Sequence, residues 1–360
     1  MNSESPPPSV PVSAAPAAGH ASLRDWATLV RLPTVFTLIA NVLAGFLLVA
    51  GQPQPWPRLL LILIASVLMY WAGMILNDAF DYDRDFAERP HAVLPTGRIS
   101  LSAAYRVGWG GLVGGVFLAG VAGHLPGENL RQGNLPLMIA IALAIAIYLY
   151  DGPLKRTPLA PAVMGICRGL SFLLAASVAL PVLAPDVVAK PGVPGMGVPG
   201  VGVPEIGLPG LVQAFPRYVL AAALGFTVYI TGLTAIARRE ADPKSVGGPH
   251  LFVGAMLVLI GVATLAFVPR TEPDPPRWFV DRMVVFPGVI AMLSFPVLRR
   301  AMSTASTPSP AKVGATVRMG ILNVIPLSAG FALLASGIWG IAVFALVVPA
   351  LWLSQRLRVT

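Results

Sequence analysis

The sequence predicts an all-helical integral membrane protein, a bundle of nine to ten spans. Three observations carry this. Hydrophobic residues make up 56% of the 360 and charged residues only 11%, against about 25% charged in a soluble domain. The apolar residues fall in continuous runs of roughly 20, the length that crosses a bilayer core. Those runs do not alternate with polar residues, so helices rather than a barrel must satisfy the backbone in lipid.

Residues 1–22 are rich in Pro, Ser and Ala and lack the basic-then-apolar order of a signal peptide. A disordered tail is expected there, followed by one transmembrane domain over 23–360. Spans are expected at 29–50, 57–78, 101–123, 134–150, 159–183, 216–237, 249–268, 280–298, 314–337 and 339–355. The last two are separated only by Gly337, Trp339 and Gly340, hence nine or ten. Residues 184–215 carry a Val-Pro-Gly repeat, GVPGMGVPGVGVPEIGLPG, which breaks helix and strand and reads as a flexible external loop.

The net charge of +9 is not clustered, which argues against nucleic-acid binding. Alternating through ten spans from an inside N-terminus puts seventeen Lys and Arg inside and seven outside, with Arg168 within a span. That bias places both termini and the segments NDAFDYDRD, LKRTP and ARREADPK in the cytoplasm. A bacterial inner membrane is the expected location. Cys167 is the single cysteine, so an intrachain disulfide is excluded.

The second span ends in NDAFDYDRD, residues 77–85. Asn77, Asp81 and Asp85 are spaced i, i+4, i+8 and fall on one helical stripe, with Asp78 beside it and Asp83 pointing away. A charge at mid-membrane costs about 2.5–3.5 kcal/mol on insertion scales, so the stripe must face a polar cavity at the membrane surface. Crowded carboxylates repel, and a hard divalent cation relieves them. Mg²⁺ is commonly held by one or two carboxylates plus phosphate oxygens. The stripe therefore points to a Mg²⁺ site for a phosphorylated, membrane-soluble substrate; the plainer reading is an acidic helix end. Arg89 and Arg98, in the ERPHAVLPTGRIS that follows, suit bidentate contact with phosphate or a positive-inside anchor.

NDAFDYDRD fits the NDxxDxxxD pattern of the UbiA superfamily of intramembrane prenyltransferases. GRIS, RLPTVFTLIANVLAG in the first span and YDGPLKRTPL after the fourth resemble that family too, over about residues 25–355. The run LYDGPLKRTPLAPAVMGICRGLSFLL is similar to the EboC-like subgroup. The resemblance implies a Mg²⁺-dependent transfer of a prenyl group from an isoprenyl diphosphate to an aromatic or other lipophilic acceptor. It implies Asn77, Asp78, Asp81 and Asp85 as the first metal motif, with Asp78, Asp81 and Asp85 catalytic. Lys155 and Arg156 match the family's basic pair for diphosphate, and Asn41 matches a polar position lining its cavity. Arg168, a basic residue deep in a span, is a further diphosphate candidate or one half of a structural pair.

Two departures from the family pattern stand out. Ala92-Val93 occupies the place of an Arg-Pro pair. In the second acidic motif, Thr231 and Arg238 stand where acids are usual, which leaves Glu240 and Asp242 as metal candidates. Arg238 either meets diphosphate directly or marks lost catalysis. The alternative function is therefore a non-catalytic, EboC-like binding or transport protein for isoprenoids or secondary metabolites. A CDP-alcohol phosphotransferase is excluded, because Asp151-Gly152 is followed by Pro-Leu-Lys-Arg instead of the DGxxAR pattern.

Overall fold

The computed structural model describes residues 21–182, 213–238, 249–272 and 276–356. The expectations for tail residues 1–20, for loop residues 184–212, and for Glu240 and Asp242 lie outside the described residues. The described helices are α1 (Leu23–Leu29), α2 (Val35–Ala50), α3 (Trp56–Phe80), α4 (Tyr82–Glu88), α5 (Leu101–His124), α6 (Leu135–Asp151) and α7 (Ala160–Ser177). They continue with α8 (Arg217–Ala237), α9 (Pro249–Phe267), α10 (Val285–Ser306), α11 (Pro310–Leu322), α12 (Val324–Ala335), α13 (Gly337–Phe344) and α14 (Val347–Arg356). Nine described segments are long and apolar enough to cross a membrane, and α6 is a shorter tenth of 17 residues. Two of the nine are built from stacked pairs, α11 with α12 and α13 with α14. The chain is a multi-pass integral membrane protein.

Local chemistry sets the helix ends. Proline occupies the first turn of α3, α6, α7 and α11, where its missing N–H costs nothing. Ser22 caps α1 in a reciprocal box with Asp25. The side chains of Ser100 and Ser309 accept from the backbone N–H groups of Ala103 and Lys312. Gly51 ends α2 in the left-handed region, φ 72°.

Between helices in lipid there is little hydrophobic drive, so close packing of small residues must bring them together. A Cβ at Gly45 of α2 would sit 2.6 Å from the Phe172 carbonyl oxygen of α7. Cβ atoms at Gly165 and Gly169 would each come within 2.2 Å of a threonine hydroxyl of α8, those of Thr231 and Thr227. Glycine thus lets α2 and α8 press directly on α7, which α6 also borders. Beyond these contacts Phe172, Phe226, Phe286 and Phe331 stack with ring centroids 5.4–6.3 Å apart, joining α7, α8, α10 and α12. Large apolar side chains such as Ile64, Val113, Phe117 and Ile341 remain exposed and face lipid.

The end of the bundle away from the aspartates is closed by Arg58. Its side chain is fully buried. It donates to the carbonyls of Leu125 at 2.8 Å, Arg131 at 3.0 Å and Val178 at 3.0 Å. Leu125 and Val178 cap the C-termini of α5 and α7. The guanidinium therefore neutralises two negative helix ends and satisfies carbonyls that would otherwise be orphaned. The charge count read Arg58 only as an outside residue; its clamp depends on three segments meeting.

Candidate active site

The aspartates gather at the opposite end, named the motif end here. The expected single helix is interrupted. Helix α3 stops at Phe80, and Asp81 leaves helical geometry at φ −89°, ψ 5°, before α4 begins. Aspartate is a poor helix former because its side chain competes for backbone partners. The Asp81 N–H still donates to the Asn77 carbonyl at 3.2 Å, and the Asp85 N–H to the Asp81 carbonyl at 2.8 Å. The stripe therefore survives the break. Asp83 is exposed, as its angular position predicts, and Asp85 is buried.

Each acid of the stripe faces a cation. Asp78 Oδ1 lies 3.6 Å from Arg31 Nη2, Asp85 Oδ1 lies 3.7 Å from Arg89 Nη1, and Asp81 Oδ2 accepts from Lys155 Nζ. These pairs are partly exposed, and such pairs contribute only about 0–1 kcal/mol. They can exchange partners at little cost when a phosphate or metal arrives. Arg31 adopts a left-handed backbone, φ 49°, ψ 54°, which costs roughly 1–2 kcal/mol for a non-glycine residue. The strain sits at the residue that presents a guanidinium to Asp78.

Lys155 reaches the site from the loop after α6. It also approaches the Asn77 carbonyl at 3.5 Å. Arg238, the last described residue of its segment, donates from Nη1 to the Thr157 carbonyl at 2.5 Å, tying the end of α8 to that loop. Arg156 is exposed and forms no ion pair among the described residues. Arg98 turns to Asp25, at 2.8 Å. Thr231, at the expected place of an acid, donates instead to its own helix at the Thr227 carbonyl, 2.8 Å away, and packs on Gly165.

Inside the motif end lies a small apolar cavity of about 90 Å³, with walls from α2, α3, α6, α7 and α8. Its polar points are Ser66, Tyr70, Tyr150, Asp151, Arg168 and Ser171. Asp151 joins cavity to stripe. It is buried, and its Oδ1 accepts from Asn77 Nδ2 at 2.9 Å, while Oδ2 has no partner among the described residues. This fixes the Asn77 amide with its oxygen turned away from Asp151. Arg168 was expected to meet diphosphate or to form one half of a structural pair. Its observed protein partners are the Thr37 carbonyl and hydroxyl, each at 3.4 Å, which are weak contacts. Asn41, expected in the pocket, is not among the residues lining it. It is fully buried, its amide atoms have no partner among the described residues, and Leu38 supplies the wall of α2 instead.

Sequence reasoning missed Asp151 and Arg31 as parts of the site. Asp151 follows a run of apolar residues, and no spacing links it to Asn77. Arg31 did have a signal, because it opens RLPT.

Among the described residues, no three of Asp, Glu, His and Cys come close enough together to hold a metal ion alone. The donor set nonetheless suits Mg²⁺ completed by substrate. Asp78 and Asp81 are hard carboxylates one turn apart, each about one-fifth exposed, and Mg²⁺ typically takes one or two carboxylates with phosphate oxygens and water.

A helical bundle of this form, with acids paired to cations at one end and an apolar cavity joined to them through Asp151 and Asn77, defines an intramembrane protein with a polar site at the end of its spans. The chain belongs to the UbiA prenyltransferase family, whose pattern matches residues 38–360. It is 30% identical over 154 residues to a digeranylgeranylglyceryl phosphate synthase of Methanobrevibacter smithii, covering 42% of this chain and 52% of that one. The chain thus spans about half the length of that curated relative. Its fold is similar to a UbiA homolog from Archaeoglobus fulgidus, with a TM-score of 0.58, 15% identity, and 89% and 99% of the two chains covered. A structure of a UbiA homolog from the same organism bound to GPP and Mg²⁺ gives a TM-score of 0.54 at 14% identity, with the same coverage.

Proposed function

We propose that the protein is a Mg²⁺-dependent membrane prenyltransferase. It moves an isoprenyl group from an isoprenyl diphosphate to a lipophilic acceptor. The observation that carries this is the set Asp78, Asp81, Lys155 and Arg31 beside an apolar cavity bordered by Asn77's partner Asp151. Family membership and the relative's name support it.

In this reading Asp78 and Asp81, with Asn77 and Asp85 beside them, would hold Mg²⁺. Mg²⁺, when bound, offsets the charge that develops on the departing diphosphate. Lys155 exchanges Asp81 for a phosphate oxygen, to which its ammonium donates, and Arg31 exchanges Asp78 in the same way. Arg89 and Arg156 add positive charge to the rim. Arg238 holds the Lys155 loop in place through Thr157, which gives it a role without a second acid. Asp151 orients Asn77. The apolar wall excludes water from the allylic carbon while its bond to oxygen breaks. Arg168, loosely held by Thr37, is free to turn toward an anionic or carbonyl group of the acceptor. The charge bias of the loops supports placing the motif end in the cytoplasm.

The test is diphosphate release from purified full-length protein with Mg²⁺, a series of isoprenyl diphosphates, and aromatic and glycerophosphate lipid acceptors. Acceptor-dependent release establishes transfer. Mg²⁺-dependent binding of geranyl diphosphate, with no release for any acceptor, supports the carrier reading and rejects the enzyme.

A further inference from the structure

Helix α1 separates two hollows at the motif end. One is a basin of about 490 Å³ bordered by Arg24, Arg31, Arg89 and Arg98 and by Asp25 and Asp78. The other is an apolar groove of about 320 Å³, roofed by Trp26 and Ala27 and walled by Leu68 and Trp71 of α3 and Val107 and Gly111 of α5. No residue lines both the basin and the central cavity.

The basin is positive. Four arginines face two acids. Arg31, Arg89 and Arg98 each have a carboxylate partner, whereas Arg24 is exposed and has none among the described residues. The groove is apolar throughout and opens toward lipid, since Val107 on its outer wall is 46% exposed. Its α3 wall rises about 10 Å from Leu68 to Ile75, a length that covers the upper part of one extended chain, with the rest passing into lipid at the open side. A positive basin and an apolar trough that share a helix as partition match one kind of molecule, an amphiphile with an anionic head and a hydrocarbon tail. The hydrophobic effect does not favour an apolar trough over bulk lipid, so the basin must provide the preference.

We propose that this is a binding site for an anionic glycerophospholipid of the bilayer. Arg24 and Arg98 hold the phosphate, and one acyl chain runs under α1 between α3 and α5. The site does not depend on the transfer reaction; Asp78, its partner Arg31 and Arg89 belong to both surroundings, whereas Arg24 and the groove belong to this site alone.

Native mass spectrometry of the full chain tests it, in micelles with equal amounts of dioleoyl phosphatidylglycerol and dioleoyl phosphatidylcholine. One phosphatidylglycerol should be retained in preference to phosphatidylcholine. Arg24→Gln should lower that retention about fivefold, the equivalent of about 1 kcal/mol for one basic residue at an anionic surface. Val107→Trp should lower it too, by filling the groove from a lipid-exposed position. Ala27→Trp is the second groove-filling variant should Val107→Trp unfold. Geranyl diphosphate binding should be unchanged in Arg24→Gln. Equal retention of the two lipids overturns the proposal, as does retention unaffected by the variants. Displacement by soluble glycerol 3-phosphate would show that the groove holds no chain. Displacement by geranyl diphosphate with Mg²⁺ would assign the basin to the transfer site instead.

Discussion

Asp81 takes Lys155 as its ion partner at the point where α3 breaks. Replacing it by Asn keeps the shape and removes the charge. A neutral amide is a poor ligand for Mg²⁺, so Asp81→Asn should lower transfer by roughly 100-fold or more, with thermal unfolding little changed, since a partly exposed pair contributes little. Activity that survives this change would place the metal elsewhere. Arg238 makes a different demand. As a relic of an acidic motif, its change to Asp would raise activity. As the tie to Thr157, its loss frees the Lys155 loop, so Arg238→Asp should raise KM for geranyl diphosphate about tenfold with kcat nearly constant. At this scale the stripe was legible, because helical spacing alone aligns Asn77, Asp81 and Asp85. Asp151 was not, because its partner Asn77 lies 74 positions away in sequence.

Helix α1 is held by its first turn. Asp25 accepts from Ser22 and Arg98, and the Ser22 hydrogen bonds, foremost, with the Arg98 charge, hold its carboxyl below the usual range. A group whose folded value is lowered stabilises above its unfolded value of about 3.9 and loses that contribution as the pH falls through the folded value. Amide exchange over residues 25–30, corrected for intrinsic rates, should therefore accelerate below about pH 4. In Asp25→Asn it should already be fast at neutral pH and lack this step. Arg58 joins three segments at the other end. Arg58→Met keeps the volume but leaves three carbonyls without their donor, so it should cost about 3 kcal/mol, read as a lower unfolding temperature in detergent. The element boundaries were largely legible from run length and proline. The break at Asp81 was not, because a run of polar residues has no apolar periodicity to count.

For the whole molecule, α5 is the one candidate span between Arg84 and Gln132, so its crossing brings the two to opposite faces of the membrane. In a Cys167→Ser background, Arg84→Cys should be labelled by an impermeant thiol reagent only from the cytoplasmic side, and Gln132→Cys only from the other. Labelling of both from one side would remove a span; reversed sides would overturn the charge-based orientation. The sequence by itself determined that the chain crosses a membrane as helices, and which span ends in the acidic motif. Those properties depend on composition and near spacing, and a bilayer enforces them without reference to other parts of the chain. Only the tertiary structure decided which cation faces each aspartate, that Asp151 holds Asn77, that Asn41 is fully buried, and that α1 partitions a basic basin from an apolar groove. Each of these depends on contacts between distant segments, where glycines at α7 and the Arg58 clamp fix how closely the helices approach.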